Sequence, residues 1–211
     1  MLALLVATLC PARPSRAHPP QGLSPQQLAQ LARWEVLASS EQVSGAGVMQ
    51  GKALGLFQEV PEALVHTILD IGRYKFYLPR MKSSRVVKVQ GPHTFAVLET
   101  DFPWPVRDAW VYIKMTYTRT GARSYRLRWW MENGTLKQYT GEAEIVPFDA
   151  QATRTLLTYK LLAQPKTAAP DGVISKGVRR VAEVFVQRLR LRIQALRKYN
   201  KLPAGLLSLY R

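Results

Sequence analysis

The spacing of hydrophobic residues changes several times along the chain, and each change predicts a different element. Ser24 followed by Pro25 predicts a helix start, with leucines at helical spacing after it. Residues 44–57 are rich in glycine and alternate weakly, which predicts a first strand that bends and packs closely against another element. A helical pattern follows over 61–72, and residues 73–81 predict a second short helix or turn.

From residue 83 onward apolar and polar residues alternate, which is typical of strands with one buried face. The Asn133-Gly134 pair predicts a tight hairpin, because both residue types tolerate positive φ. After Pro170 the helical period returns and continues to about Asn200. Turn-forming residues separate six predicted strands: 84–90, 94–101, 107–118, 124–131, 136–146 and 154–163.

One strand, two short helices, six strands and a long helix predict an α+β fold. Tight turns make the sheet an antiparallel meander, and its apolar face needs a cover. The C-terminal helix is the element long and apolar enough to provide one. We therefore expect a curved antiparallel sheet of about seven strands wrapped around that helix, with two short helices after the first strand. The predicted apolar stripe of the helix comprises Ile174, Val178, Val181, Ala182, Phe185, Leu189, Ile193 and Leu196.

Alternation also predicts which strand residues face the helix. Tyrosine and tryptophan bring a polar atom that needs a partner when buried. An apolar cavity with a few tyrosine hydroxyls suits a sterol, a quinone or a polyisoprenoid better than a sugar or a nucleotide. The predicted inward residues are Ala109, Val111, Ile113, Met115, Tyr117, Tyr125, Leu127, Trp129, Met131, Tyr139, Gly141, Ala143, Ile145, Leu157, Tyr159 and Leu161.

Two stretches of the chain resemble a known family. In ETDFPWPVRDAWVYI, residues 99–113, a proline-containing loop leads into the pair Arg107-Asp108 and an apolar strand. This is similar to the pattern of START-type lipid-transfer domains, and residues 55–87 resemble the first strand and helices of their bacterial members. The resemblance covers about 24–200 and implies the helix-grip fold that START domains share with polyketide-cyclase and coenzyme-Q-binding relatives.

The expected ligand site combines the sheet and the helix. Glu99 lies on the same face of its predicted strand as Phe95 and Val97, so it is expected to face inward. There it would bind a ligand hydroxyl, serve a cyclase as acid or base, or pair with Arg107, because an isolated buried charge is costly. The other predicted ligand contacts are Arg107, Val111, Ile113, Met115, Tyr125, Trp129, Tyr139, Ala143, Tyr159, Val178, Val181 and Phe185.

Motifs for catalysis and cofactor binding are absent from the sequence. It has no Gly-x-Ser-x-Gly elbow and no phosphate-binding loop, and the glycines of 44–57 lack nucleotide-binding spacing. One cysteine, Cys10, and three scattered histidines predict neither a disulfide nor a metal site. We therefore expect no catalytic residue, no cofactor and no metal. An aromatase/cyclase-like reaction in the same cavity is the enzymatic alternative.

The chain is strongly basic, with 30 Lys and Arg against 14 Asp and Glu and a formal net charge of +16. Residues 171–201 hold nine basic and two acidic residues. This helix predicts docking on an anionic membrane through Lys176, Arg179 and Arg180, where each cation contributes roughly 1 kcal/mol. A solvated helix face and RNA or ribosome association are the alternatives. Tyr199 is the one aromatic residue late in the helix, which disfavours nucleic acid as the partner.

A ligand enters a closed grip only if one edge opens. The hairpin tip with Met131, Gly134 and Leu136 is the predicted gate, because it combines a flexible glycine with apolar side chains. The helix start near Pro170 supplies a second flexible point.

The first residues predict export. Residues 2–10 are a short apolar run, and Ser15-Arg16-Ala17 suits signal-peptidase cleavage. We expect a monomeric bacterial protein that is periplasmic or otherwise exported, is peripheral at the membrane, and binds and transfers an apolar lipid. A cytoplasmic location is the alternative. The predicted organisation is a signal peptide over 1–17, a linker and N-terminal helix over 18–43, a START-like domain over 44–201 and a tail over 202–211.

Overall fold

The computed structural model describes residues 22–43, 48–101, 108–166 and 170–199. The predicted signal peptide, the tail and Arg107 lie outside the described residues. The helices of the described part are α1 (Pro25–Ala32), α2 (Pro61–Leu69), a 3-10 helix (Ile71–Phe76) and α3 (Asp171–Lys198). Its strands are β1 (Leu37–Val43), β2 (Val48–Phe57), β3 (Met81–Gln90), β4 (His93–Thr100), β5 (Ala109–Arg119), β6 (Tyr125–Gly134), β7 (Gln138–Pro147) and β8 (Thr155–Gln164).

The eight described strands form one antiparallel sheet in the order β1-β2-β8-β7-β6-β5-β4-β3. Strands that follow one another along the chain pair with each other, with one exception. Strand β2 pairs with β8 and not with β3, which follows it along the chain. Helix α3 packs against β1, β2 and β8 on the concave face. The predicted α+β helix-grip fold is confirmed.

The sequence predicted about seven strands, and the strand it missed is β1. Its sequence, LASSEQV, is mostly polar, and it is only partly buried at the edge of the sheet. Backbone pairing with β2 defines it, from Leu37 opposite Leu54 to Val43 opposite Val48. Strand propensity reflects packing on a half-buried surface, so a polar edge strand leaves little trace in the hydrophobic pattern.

Two glycines of β2 let α3 approach the sheet closely. A Cβ atom on Gly51 would lie 2.1 Å from the carbonyl oxygen of Val178. A Cβ atom on Gly55 would lie 2.4 Å from Cγ1 of Val186. The prediction that glycines here mark a strand packed closely against another element is confirmed for these two residues.

The buried face of α3 matches the predicted stripe with one exchange. Val181 is 42% exposed, whereas Val186 is fully buried. Successive residues of a helix are rotated by about 100° around its axis. Val181 is therefore rotated by about 100° from Ala182, whereas Val186, four residues after Ala182, is rotated from it by only about 40°. The stripe members Val178, Ala182, Phe185, Leu189 and Ile193 are buried as predicted.

The convex face of the sheet is partly covered by α1. Helix α1 places Leu31 there, fully buried against Leu54, Leu56 and Leu156. A capping box holds its start: the Ser24 hydroxyl accepts from the backbone N–H of Gln27 at 3.2 Å, and the Gln27 side chain accepts from the Ser24 N–H at 2.9 Å.

The β6–β7 connection differs from the predicted tight turn at Asn133-Gly134. Strand β6 continues to Gly134, and the N–H of Thr135 still donates to the carbonyl of Trp110 at 3.0 Å. A register shift beside Tyr112 accommodates an extra residue. Gly134 has a φ of +155°, and a Cβ atom there would lie 2.6 Å from the Trp110 oxygen. Glycine is therefore required by the close approach to β5.

Among the described residues, no helix combines the length and the apolar composition that crossing a membrane requires.

Candidate functional site

A column of aromatic rings runs through the space between α3 and the sheet. Tyr77 meets Tyr74 edge-on, with ring centroids 5.7 Å apart, and Tyr74 meets Phe185 at 6.1 Å. Phe185 stacks on Tyr159 at 4.2 Å, and Tyr159 stacks on Trp129 at 5.3 Å. The column links the 3-10 helix, α3, β8 and β6. Offset-stacked and edge-on rings are the favourable arrangements of aromatic pairs.

Gly141 makes room for the sheet end of this column. A Cβ atom on Gly141 would lie 2.1 Å from Cζ2 of Trp129, so the indole rests directly on the bare backbone of β7. In this arrangement the rings are in mutual contact. A ligand seated between α3 and the sheet therefore requires some of them to move apart.

Most of the predicted ligand contacts point into this interior. Tyr139 is half-buried against the same cluster, and Val178 is buried near the start of α3. Val181 faces outward and does not belong to the interior. The predicted residues that share one buried hydrophobic cluster are Val111, Ile113, Met115, Tyr125, Trp129, Ala143, Tyr159 and Phe185. Their contact with a ligand stays a prediction.

Glu99 does not face the interior, and its predicted orientation was wrong. The inward residues of β4 are Thr94, Ala96 and Leu98, all buried, whereas Glu99 is exposed on the convex face. Both faces of β4 carry apolar residues, so alternation alone does not fix the parity of this strand. Asp108, which follows Arg107 in the sequence, forms an ion pair with Lys82 on β3.

Tyr125 is inward, but its hydroxyl already has a partner. It donates to Glu62 of α2 at 2.9 Å, and Arg123 donates to both oxygens of the same carboxylate at 3.0 and 2.5 Å. Burial would raise the pKa of Glu62, but the hydrogen bonds from Arg123 and Tyr125 outweigh burial and lower it. Burial, followed by the Glu62 interaction, raises the pKa of Tyr125 to about 12.

One turn along α2, His66 is buried, and its Nδ1 atom has no hydrogen-bond partner among the described residues. Burial lowers the pKa of His66, and the nearby Glu62 carboxylate opposes this shift. His66 therefore adds a neutral polar group to this end of the interior.

Sequence reasoning missed a second group of polar residues beside the ring column. The Tyr74 hydroxyl donates to the carbonyl of Ile68 at 2.6 Å. The Tyr77 hydroxyl is buried and has no hydrogen-bond partner among the described residues. Arg192 of α3 lies over the Tyr77 ring, 5.9 Å from its centroid. Burial raises the pKa of Asp70, and the nearby guanidinium groups, Arg192 among them, oppose this shift.

The predicted membrane contacts Lys176, Arg179 and Arg180 are all exposed on α3. Arg180 is also 3.1 Å from Glu183 one turn along the helix. Apolar side chains share the solvent side of the helix with these cations. They are Val173, Val181, Leu191 and Tyr199, which are 49%, 42%, 55% and 66% exposed.

Not every cation of α3 is available to a partner. Arg190 turns toward the sheet, where it donates to the carbonyl of Trp34 at 2.7 Å and to that of Leu56 at 3.0 Å. Burial lowers the pKa of this guanidinium. Arg190 therefore attaches α3 to β2 and to the segment after α1, a role that the charge count did not reveal.

The predicted gate residues lie on a tip that is fastened on both sides. Leu136 is buried in the interior cluster, and Met131 is half-buried against it. Thr135 bonds to Trp110 at 3.0 Å, and the N–H of Lys137 donates to the carbonyl of Gln164 at 2.8 Å. Opening here requires breaking these backbone bonds, and gating stays a prediction.

An open groove of about 360 Å³ lies on the convex face of the sheet. Glu142 lies in it and pairs with Arg128 at 2.7 Å and with Lys160 at 3.8 Å. These ion pairs make the groove polar, so it does not suit an apolar ligand. The groove is lined by Gln50, Arg128, Trp129, Trp130, Thr140, Gly141, Glu142 and Lys160.

The fold is similar to those of several solved structures. A STAR-related lipid transfer protein from Xanthomonas axonopodis has 16% identity and a TM-score of 0.66, over 85% of this chain and 98% of that one. Human STARD10 has 13% identity and a TM-score of 0.65, over 79% of this chain and 72% of that one. The Zhui aromatase/cyclase of a Streptomyces species has 12% identity and a TM-score of 0.51, over 70% of this chain and 94% of that one.

No protein-family model matches the sequence, and no curated protein matches it. At the low identities of the solved structures, the likeness concerns the fold. The chain has the helix-grip fold that START-type lipid-transfer proteins share with aromatase/cyclases.

Proposed function

We propose that this protein binds an apolar lipid between α3 and the concave face of the sheet and carries it to and from membranes. The observation that supports this most is the lining of the interior, where aromatic and aliphatic side chains from α3, β5, β6, β7 and β8 form one cluster. Solved structures of the same fold include proteins named for lipid transfer, from a bacterium and from human.

The composition of the interior favours a lipid over a sugar or a nucleotide. A polar ligand needs many converging donors and acceptors, because each buried polar group left unpaired costs free energy. The polar groups beside the ring column are mainly phenols, which combine a large apolar ring with one hydroxyl. Sterols, quinones and polyisoprenoids have this same balance of apolar surface and few oxygen atoms.

Binding requires a rearrangement of the interior. Phe185 and Tyr159 are stacked, so entry of a lipid involves displacement of α3 or new rotamers of these rings. Closely packed cores do not deform continuously. We therefore expect the ligand to favour a second, open arrangement of these rings over the packed one.

Organic extraction of the purified protein followed by mass spectrometry tests the proposal. We expect an apolar lipid at a constant molar ratio to the protein. Ala143 is fully buried between Leu127 and Tyr159, so Ala143→Trp should lower that ratio. Thr140→Trp places the same ring on the outer face of β7 and serves as the matched control. Recovery of no lipid, or equal recovery from both variants, contradicts the proposal.

An aromatase/cyclase-like activity is the second candidate. It is favoured by the fold likeness to Zhui and by the partnerless Nδ1 atom of buried His66 near Glu62. Both oxygens of Glu62 are engaged by Arg123, and the expected inward Glu99 is exposed, so fewer acid-base groups converge than such chemistry needs. Incubation of the bound compound with the protein decides between the two. An unchanged mass supports a carrier, and a mass change lost in His66→Gln supports the enzyme.

We also propose export, with a mature chain that begins near His18. The apolar run at residues 2–10 and the Ser15-Arg16-Ala17 site support it. N-terminal sequencing of the protein from its native host tests this proposal. An intact Met1 in the cytosolic fraction contradicts it.

A further inference from the structure

Four tyrosines, three of which belong to the ring column, gather at one place in the interior. Tyr74 and Tyr77 come from the 3-10 helix and the residue after it, Tyr139 from β7, and Tyr159 from β8. They lie close enough for the Tyr77, Tyr139 and Tyr159 hydroxyls to raise the pKa of Tyr74, in addition to the larger effect of burial. Phenols from three separate elements therefore converge within an otherwise apolar interior.

The hydroxyl of Tyr77 is buried but unpaired within the described part of the chain. Tyr74 has the Ile68 carbonyl as acceptor, at 2.6 Å, whereas the buried Tyr77 hydroxyl has no hydrogen-bond partner among the described residues. A buried hydroxyl without a partner is destabilising, because it gives up hydrogen bonds to water and gains none in return. A phenylalanine would keep the edge-on contact of this ring with Tyr74 and avoid that cost, so packing alone does not explain the hydroxyl.

The surroundings of Tyr77 define what kind of group it can bind. Burial raises the pKa of this hydroxyl, with a further contribution from Asp70, so it stays protonated and can donate at neutral pH. Arg192 lies over the ring, and Asp70 lies near both groups, so the nearest charges oppose each other. A neutral oxygen acceptor fits this position, because it adds no charge to a buried site.

We infer that Tyr77 is a binding residue that donates a hydrogen bond to a neutral carbonyl or hydroxyl oxygen at the polar end of the bound lipid. This inference rests on the proposed lipid binding and specifies its ligand class: a long apolar molecule with a neutral oxygen function, such as the carbonyl of a ketone or a quinone, near α3 and the 3-10 helix.

Two pyrene probes that differ in one group test the inference. In 1-decanoylpyrene a carbonyl joins the chain to the ring, and in 1-decylpyrene a methylene takes its place. We expect the unaltered protein to bind the ketone about tenfold more tightly than the hydrocarbon, as one buried hydrogen bond allows. Tyr77→Phe should remove most of this preference while leaving the affinity for 1-decylpyrene unchanged. Fluorescence titration gives the four dissociation constants.

Tyr74→Phe is the matched control, because it removes a neighbouring hydroxyl that already has an acceptor. It should lower stability, since the buried Ile68 carbonyl loses its donor, yet keep the preference for the ketone. Infrared spectroscopy provides a second measurement: the ketone carbonyl stretch should lie at lower wavenumber in the unaltered protein than in Tyr77→Phe.

The outcomes separate the inference from the function on which it rests. If the unaltered protein and Tyr77→Phe show the same ratio of affinities and the same carbonyl frequency, the role of Tyr77 is overturned while lipid binding stands. If the unaltered protein binds neither probe, lipid binding itself is contradicted and the inference with it.

Discussion

The ring of Phe185 on α3 lies nearly parallel to the ring of Tyr159 on β8, with 4.2 Å between centroids and 17° between planes. This contact joins the gripped helix to the middle of the sheet. It also occupies the space in which a ligand would lie, so stability and binding depend on the same pair of side chains.

Truncation of this ring should therefore affect both properties. Phe185→Ala is expected to lower the free energy of unfolding by about 3–5 kcal/mol, through lost burial and the cavity that remains. An apolar ligand that enters the cavity should restore part of this loss, because a ligand that binds only the folded state stabilises it. Urea unfolding with and without the extracted lipid measures both effects. Equal stabilisation of the variant and the unaltered protein by the lipid would show that the cavity is not part of the site.

At Gly51 the backbone of α3 lies close against the sheet. Gly51→Ala places a methyl group 2.1 Å from the Val178 carbonyl, so the helix must shift, at an expected cost of about 1–3 kcal/mol. Gly177→Ala, one residue before Val178, meets nothing within 4 Å and should instead stabilise α3 by about 0.5–1 kcal/mol. Thermal unfolding of the two variants should show shifts of opposite sign, and a harmless Gly51→Ala contradicts the close packing.

The interior was predicted well where one face of a strand is clearly apolar. On β6, Tyr125, Leu127 and Trp129 alternate with arginines, and the structure buries the predicted set. On β4 apolar residues occupy both faces, and the orientation of Glu99 was wrong. In a strand, one of two alternating sets of residues faces the interior. The sequence identifies that set only when the other set is polar.

Tyr77 could not be recognised from the sequence for another reason. It follows a 3-10 helix, where neither the helical nor the strand period assigns an inward side. Its importance depends on Arg192, more than one hundred residues later, and on the absence of an acceptor within reach among the described residues. Only the packed structure shows such relationships, because they result from the way α3 closes on the sheet.

The Glu62 carboxylate should make the free energy of unfolding depend on pH in the acidic range. The folded pKa of Glu62 is below its ordinary value of 4.5, because hydrogen bonds from Arg123 and Tyr125 outweigh burial. Its contribution is therefore present above that value and is lost as the pH falls through the folded pKa. Urea unfolding between pH 7 and pH 3 should show Glu62→Gln as the less stable protein at neutral pH, with the difference shrinking in acid.

Glu59 offers a control of opposite sign for this experiment. Burial raises its pKa despite the nearby Arg197, so its ionised form is unfavourable in the folded protein. Glu59→Gln should become more stable relative to the unaltered protein as the pH rises through the raised pKa. A pH dependence of the same sign in both variants would contradict the assigned hydrogen bonds of Glu62.

The solvent side of α3 carries the proposed membrane contact. Arg179 and Arg180 are exposed there next to Val181, and Leu191 is exposed about three turns farther along the helix. Helices that lie in the membrane interface combine basic and apolar residues in this way. Reversing both charges, in Arg179→Glu with Arg180→Glu, should weaken binding to vesicles that contain anionic lipid by about tenfold or more. Binding to neutral vesicles should change far less, and cosedimentation measures both.

A matched double variant, Arg85→Glu with Lys88→Glu, makes the same change of charge on β3, at the opposite edge of the sheet from β1. If α3 is the docking face, this control should keep most of the binding, because only the nonspecific attraction of the whole protein is reduced. Added salt should weaken the binding of the unaltered protein to anionic vesicles, as charge reversal on α3 does. The reason is that surface attraction is screened over about 10 Å at 0.1 M. Leu191→Ser should weaken binding to anionic and neutral vesicles alike, because it removes apolar contact and leaves the charge unchanged. If the two double variants bind equally well, net charge rather than α3 governs attraction to the membrane, and the exposed apolar residues of α3 need another partner.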